Sequence, residues 1–190
     1  FRSNCEITRV EVSQSGFAGM MIKTDPNKND PTTWFGNFVM EAVKVHHNYV
    51  HDTLGEGFYI GNSFWNTGQN GVYPHEIRGL ELHHNVVVRS GCEGIQYSCS
   101  PGALVHHNKV VQTGISPFSN SQNAGVQISG GSSGMFYDNT IDSAQGVGLI
   151  IVGALRGGDS LTVSNVLIAH SNLFEGSSRL PAETCGVFVD

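Results

Sequence analysis

The sequence predicts an all-β chain wound as a parallel β-solenoid of about six coils, with long loops inserted in the first two. Three observations carry the prediction. A six-residue motif rich in His and Asn recurs along the chain. A glycine followed by an alternating apolar triplet follows each copy. The tightest copies recur every 23 residues. That period is too short for a helix-turn-helix repeat or a propeller blade. Leucine-rich repeats have a similar length, but their leucine signature is missing.

The first motif is Val45-His46-His47-Asn48-Tyr49-Val50, repeated as Leu82-His83-His84-Asn85-Val86-Val87 and Val105-His106-His107-Asn108-Lys109-Val110. Weaker copies are Phe136-Tyr137-Asp138-Asn139-Thr140-Ile141 and Ala169-His170-Ser171-Asn172-Leu173-Phe174, and Ile7-Thr8-Arg9-Val10-Glu11-Val12 is a degenerate first copy. The second motif begins at Gly19, Gly57, Gly94, Gly125, Gly148 and Gly186. Nine residues separate the Asn position from the Gly in four of the six repeats, and 14 separate that Gly from the next Asn in the tightest coils. The segments are β-branched or aromatic and are broken by Gly, Asn and Ser, which reads as strands and turns. Strands stacked at about 4.8 Å per coil would build a rod on the order of 25–30 Å long. Stacked Asn48, Asn85, Asn108, Asn139 and Asn172 would then form an amide ladder at a sharp turn, each donating to one coil and accepting from the next.

Composition bounds the rest. A hydrophobic share of 39% excludes a disordered acidic tail. A net charge of −6 argues against nucleic acid or an anionic membrane surface as partner. No apolar run approaches 18 residues, so no helical membrane insertion is expected. The 24 glycines have no three-residue period, which excludes collagen. Cys5, Cys92, Cys99 and Cys185 leave three pairings open and contain no Cys-x-x-Cys site; they read as small buried hydrophobes. The chain reads as one domain over 1–190. It starts inside a repeat and stops on Val187-Phe188-Val189-Asp190 with no visible capping helix. That suggests a processed piece of a longer solenoid, with flanking coils or neighbouring subunits covering its ends.

The two motifs together resemble the right-handed parallel β-helix repeats of the pectin-lyase-like superfamily. The resemblance covers nearly the whole chain outside the insertions. It implies a right-handed parallel β-helix, a polysaccharide partner and an extracellular or cell-surface location. It leaves activity open, since that group includes polysaccharide lyases, glycoside hydrolases, epimerases, tailspikes and non-catalytic surface proteins.

Insertions mark the elaborated face of a solenoid. There are 29 residues between Gly19 and Asn48 and 28 between Gly57 and Asn85. Both loops leave just after the triplet strand, which makes them neighbours. They carry Trp34, Trp65 and Tyr73, candidates for stacking on a sugar ring, and also His75, Glu76 and Arg78. The competing reading is that these rings pack the loops onto the rod. The fourth coil lengthens at 114–122, and the fifth carries an extra stretch around Arg156 to Ser164.

Register also places polar residues in files. Ala18, Glu56, Glu93, Ala124, Val147 and Cys185 precede the repeat glycines. Glu56 and Glu93 should therefore stack near 5 Å apart, which either raises a pKa or recruits a cation such as Ca²⁺. Asp52 and Arg89 form a neighbouring file and could simply pair. The outward file of the triplet strand is Met21, Tyr59, Gln96, Gln127, Ile150 and Phe188. The resulting candidates are Glu56, Glu93, Arg89, Tyr59 and His75 for catalysis, with Ca²⁺ on Glu56 and Glu93. Trp34, Trp65, Tyr73, Gln96 and Arg78 are the candidates for substrate binding.

As a lyase, Ca²⁺ or Arg89 would neutralise a uronate and His75 or Tyr59 would move protons. As a hydrolase, the two glutamates would be acid and base at a retaining spacing. The stretch from Gly55 to Ser63 resembles the Glu-bearing strand of β-helix alginate and chondroitin lyases. In that family a Lys before the Ser is the base, whereas here the position is Asn62, and no Lys occurs between Lys44 and Lys109. The Asp-rich calcium motifs of pectate lyases and the Asp-Pro-His-Asp motif of uronan epimerases are also missing.

His46, His83 and His106 share one file and His47, His84 and His107 the next, a geometry open to Zn²⁺ or Cu²⁺. Carboxylates and cysteines are missing from these files over the same coils, which favours a plain structural ladder. Two functions follow as expectations. One is an extracellular carbohydrate-active protein that binds, and in a lyase-like way cleaves, an acidic polysaccharide. The other is a non-catalytic adhesin, stalk or filament segment.

Overall fold

The computed structural model describes residues 3–153, 159–170 and 185–190. Each coil contributes three short strands. The first has β1 (Cys5–Thr8), β2 (Glu11–Ser13) and β3 (Met20–Ile22). The second has an outlying β4 (Val39–Glu41), then β5 (Val43–His46), β6 (Tyr49–Thr53) and β7 (Phe58–Ile60). The third repeats that plan with β8 (Glu76–Arg78), β9 (Glu81–His83), β10 (Val86–Ser90) and β11 (Ile95–Tyr97). Then follow β12 (Ala103–His106), β13 (Lys109–Val111) and β14 (Val126–Ile128); β15 (Gly134–Tyr137), β16 (Thr140–Asp142) and β17 (Leu149–Ile151); and β18 (Leu161–Ser164), β19 (Leu167–Ala169) and β20 (Val187–Val189).

Like strands of successive coils pair in parallel and build three six-stranded sheets. This is a parallel β-helix of about six coils. Among the described residues, no helix is long and apolar enough to cross a membrane.

Alternation puts one face of every strand inside. Val45, Leu82, Val105 and Phe136 line the first sheet's interior; Val50, Val87, Val110 and Ile141 line the second. Phe58, Ile60, Ile95, Tyr97, Val126, Ile128 and Leu149 line the third. Burying a side chain of this size contributes about 1.5–3 kcal/mol, and the stacking repeats it at each level.

The corner between the first and second sheets is the histidine–asparagine motif. The residue before the Asn position turns through the left-handed region in every coil: Arg9, His47, His84, His107, Asp138 and Asn165 all have φ of 50–55°. The next residue's amide then runs a ladder. Oδ1 of Asn85 accepts from the backbone N–H (3.1 Å) and the Nδ2 (3.0 Å) of Asn48. Asn108 accepts in the same way from Asn85, and Asn139 from Asn108. Each Nδ2 also donates to a strand carbonyl, as Asn85 does to Val45 (2.9 Å). The tightest step joins residues 23 apart.

One copy of the motif is displaced from the expected position. Leu167 pairs with Thr140 and Ser164 with Tyr137, so the sixth-coil equivalent of Asn139 is Val166. Asn172, expected on the ladder, lies outside the described residues, as does Arg156 of the expected fifth-coil insertion.

The glycine file has a steric cause. A Cβ on Gly19, Gly57, Gly94 or Gly125 would lie 2.2–2.4 Å from a methyl of Val50, Val87, Val110 or Ile141 in the following coil. Only a bare backbone lets the β-branched interior residue in.

The two long loops are neighbours, as expected, and they form one body. β4 and β8 pair in parallel, Phe35 N–H donates to the Tyr73 carbonyl (2.9 Å), and Phe35 meets Trp65 edge-on at 5.6 Å. A 3₁₀ turn over Pro31–Thr33, capped by the Asp30 carboxylate, shapes the first loop.

Candidate functional site

The glycine file fixes its neighbours. Gly19 and Gly57 N–H donate to the carbonyls of Glu56 (2.9 Å) and Glu93 (3.0 Å) on the next coil up. The two glutamates therefore stand one coil apart, with side chains 1% and 0% exposed. A carboxyl oxygen of each and the Cys92 sulfur all lie within 4.8 Å of one another. Oε2 of Glu56 and both carboxyl oxygens of Glu93 are buried with no hydrogen-bond partner in good geometry.

Burial pushes the Glu93 carboxyl up to about 8; its own backbone amide lowers it in part, and the Glu56 charge raises it again. Glu56 is raised by burial too, relieved by its own amide and by Lys23. Burial, with the two carboxylates, pushes the Cys92 thiol up to about 11. Burial and mutual repulsion thus favour keeping a proton on the pair, at Glu93 above all.

The roof over this cluster is the fourth-coil insertion. Gly114, Ile115 and Ser116 N–H donate to the carbonyls of Cys92, Ser90 and Gly91 at 2.9–3.2 Å, which lays the segment back over the third coil. Phe118 then stacks on Phe17 of the first coil at 5.8 Å, and Phe17 meets Tyr59 edge-on at 6.2 Å. The returning residues 119–123 form one wall of a groove of about 700 Å³ along the third sheet. Ser63, Glu93, Gln96, Gln127, Ile150 and Phe188 line the rest of it, with Val147 and Val152. Ser63 Oγ links Tyr59 Oη (2.7 Å) to Gln96 Nε2 (2.6 Å).

Of the residues expected from sequence, Glu56, Glu93, Tyr59 and Gln96 come together here. The others are engaged elsewhere. Arg89 makes a two-pronged contact with Asp52 (2.5 and 2.7 Å) at another corner; the guanidinium, and then His51, holds the Asp52 carboxyl far below its usual range. His75 is buried with both ring nitrogens occupied. Nδ1 donates to the Glu76 carbonyl (2.9 Å) and Nε2 accepts from Thr24 N–H (3.2 Å), tying the two loops together. Burial lowers its pKa against the pull of that carbonyl. Arg78 pairs with Glu76 (2.7 Å).

Trp34 Nε1 donates to the Asn27 carbonyl (2.7 Å) inside its own loop. Trp65 lies flat on the Gly130–Gly131 turn, where a Cβ at Gly131 would approach its ring to 2.5 Å. Trp65 also lines, with Phe35, Asn66 and Tyr73, a second cleft of about 570 Å³.

Three participants escaped sequence reasoning. Lys23, from the first coil, places Nζ 4.4 Å over the Tyr59 ring while pairing with Asp25 (2.7 Å). Asp25 in turn accepts from Asn62 Nδ2 (2.6 Å). Cys92 sits beside the acid pair, a position its adjacency to Glu93 already hinted at. Ser63 joins Tyr59 to Gln96, and the sequence carried no signal for it.

Calcium takes six to eight oxygens, whereas this cluster offers two carboxylates and a thiol, a donor set that does not fit that ion. Comparison of the chain with protein-family models, with curated proteins and with solved structures finds no significant match.

Proposed function

We propose that the chain is a carbohydrate-active β-helix protein that binds a polysaccharide in the third-sheet groove and hydrolyses it with Glu93 and Glu56. The observation that carries this reading is Glu93. It is a buried carboxyl with no hydrogen-bond partner in good geometry, raised to about 8, beneath a groove that mixes amides and hydroxyls with Val147, Ile150, Val152 and Phe188. Two buried carboxyls close enough to repel do not both ionise readily, and one proton held between two carboxyls is the pattern of an acid and its partner. Glu93 would give its proton to the glycosidic oxygen as that bond breaks. Glu56, ionised, would attack the anomeric carbon, and water would later release the sugar. An oxygen separation within 4.8 Å suits the retaining geometry of about 5–5.5 Å between carboxyls.

Hydrolysis fits better than elimination. No cation stands among the described lining residues to neutralise a uronate, and Lys23 is held by Asp25. The cleft of Phe35, Trp65, Asn66 and Tyr73, with Phe35 and Tyr73 exposed, offers aromatic surface for a sugar to pack on. An extracellular or cell-surface location and kinship with the pectin-lyase-like superfamily belong to the same reading. A second reading, a binding rod without turnover, is favoured by the roof of 114–122 over both carboxyls.

The test is incubation with neutral glucans, alginate, pectin and chondroitin, following new reducing ends and the absorbance of unsaturated products. Reducing ends without that absorbance, lost on the order of 100-fold in Glu93→Gln, are expected. The absorbance itself would show elimination instead. Binding without products would favour the rod, and neither binding nor products would overturn the proposal.

A further inference from the structure

The histidine motif builds more than a corner. The rings of His46, His83 and His106 stack in parallel at 4.7 and 4.8 Å, and those of His47, His84 and His107 at 4.9 and 4.7 Å. The two files meet edge to face, so that each coil presents a rung with its two Nδ1 atoms turned toward each other. The Nδ1···Nδ1 separations are 2.8 Å for His46–His47 and 2.9 Å for both His83–His84 and His106–His107. Two nitrogens bound at right angles to one metal, each at ~2.0–2.1 Å, lie ~2.8–3.0 Å apart.

The first rung carries an additional feature. Glu6 Oε1 lies 2.7 Å from His46 Nε2. A carboxylate can only accept there, so Nε2 carries the proton and, in the neutral ring, Nδ1 is the acceptor; it faces both His47 Nδ1 (2.8 Å) and Thr8 Oγ1 (3.1 Å), contacts that a bound ion would replace. A carboxylate behind a histidine is the support that metal-bound imidazoles use to fix tautomer and orientation. His83, one coil on, brings a third nitrogen: ring nitrogens of His46, His47 and His83 all lie within 4.8 Å of one another. His47 is exposed and His46 and His83 are half-buried, so an ion can enter from solvent.

We propose that His46, His47 and His83 form a binding site for a divalent transition cation of the Ni²⁺, Cu²⁺ or Zn²⁺ class. The Nδ1 pair of the first rung supplies two adjacent ligands, and Glu6 is the positioning residue. The site lies at the corner between the first and second sheets and is independent of the groove on the third.

The probe is Ni²⁺ alone, which does not oxidise the thiols, titrated calorimetrically into the full chain. One tightly held ion is expected, with affinity falling on the order of 100-fold in the His46→Asn/His47→Asn pair and ~10-fold in Glu6→Gln. His47→Asn alone keeps a residue that tolerates the left-handed backbone at that corner and should also weaken binding, with the thermal transition unchanged. Unchanged affinity in the double variant, or loss of binding in Cys92→Ser instead, would overturn the proposal.

Discussion

Glu93 shows how one side chain can be both a cost to the fold and a source of chemistry. Its carboxyl has an ordinary value of 4.5 and is raised to about 8 in the folded chain, chiefly by burial. Between those two pH values the unfolded chain releases a proton that the folded chain keeps, so stability falls as pH rises. Glu56, raised for the same reason, acts in the same direction. His51, raised by its contacts with Asp52 and then Glu11, also loses its contribution as pH climbs through its raised value. Comparison with Glu93→Gln isolates the carboxyl. Thermal or urea unfolding from pH 4.5 to 8 should show a shallower loss in the variant. At pH 8 the variant should gain on the order of 1–3 kcal/mol. A variant more stable yet inactive separates a catalytic role from simple misfolding.

At the scale of the element, the two repeating motifs were legible because each answers a strict local demand. The Asn amide is a buried group that must be paired, and the glycine is the only residue that leaves room for a β-branched neighbour. Gly94→Ala would drive a Cβ to 2.2 Å from Val110 Cγ1 and 2.8 Å from Thr113 Cγ2. It should cost about 1–3 kcal/mol by overpacking, measurable by chemical unfolding. Gly16, around which nothing lies within 4 Å, should accept Ala within about 0.5 kcal/mol.

The sixth coil was misplaced for a related reason. Its ladder position holds Val166, and an apolar residue gives no polar motif to find, so the later Ala169–Phe174 match took its place. Loop contacts were less legible still. The sequence suggests His75 for catalysis and Arg78 for substrate binding, but their partners are Thr24 and Glu76. Glu76 and Arg78 are same-face neighbours two apart on β8, whereas the His75–Thr24 contact depends on the path of each loop, which no periodicity records. The same is true of residues 114–122, whose run from the third coil to Phe17 turns an expected acid pair into a buried one.

For the whole molecule, the winding converts sequence distance into proximity. Three sheets with a shared register bring together residues 37 positions apart, as the Asn48–Asn85 contact shows. The same step places Glu56 against Glu93, and the histidine rungs above one another at another corner. The outward file of the third sheet, Tyr59, Gln96, Gln127, Ile150 and Phe188, becomes the run of residues along which the groove lies. Function on such a scaffold is a matter of which file is elaborated at which level. Here the acid pair sits on the second and third coils, and the fourth coil's insertion covers it.

This winding holds the Glu56 and Glu93 carboxyls together away from water. Carbon-13 NMR titration of the glutamate carboxyls, in the parent chain and in Glu56→Gln, tests it most directly. A Glu93 carboxyl titrating near pH 8 that moves down when Glu56 loses its charge is expected. A Glu93 carboxyl titrating near its ordinary value of 4.5 and indifferent to Glu56 would contradict it.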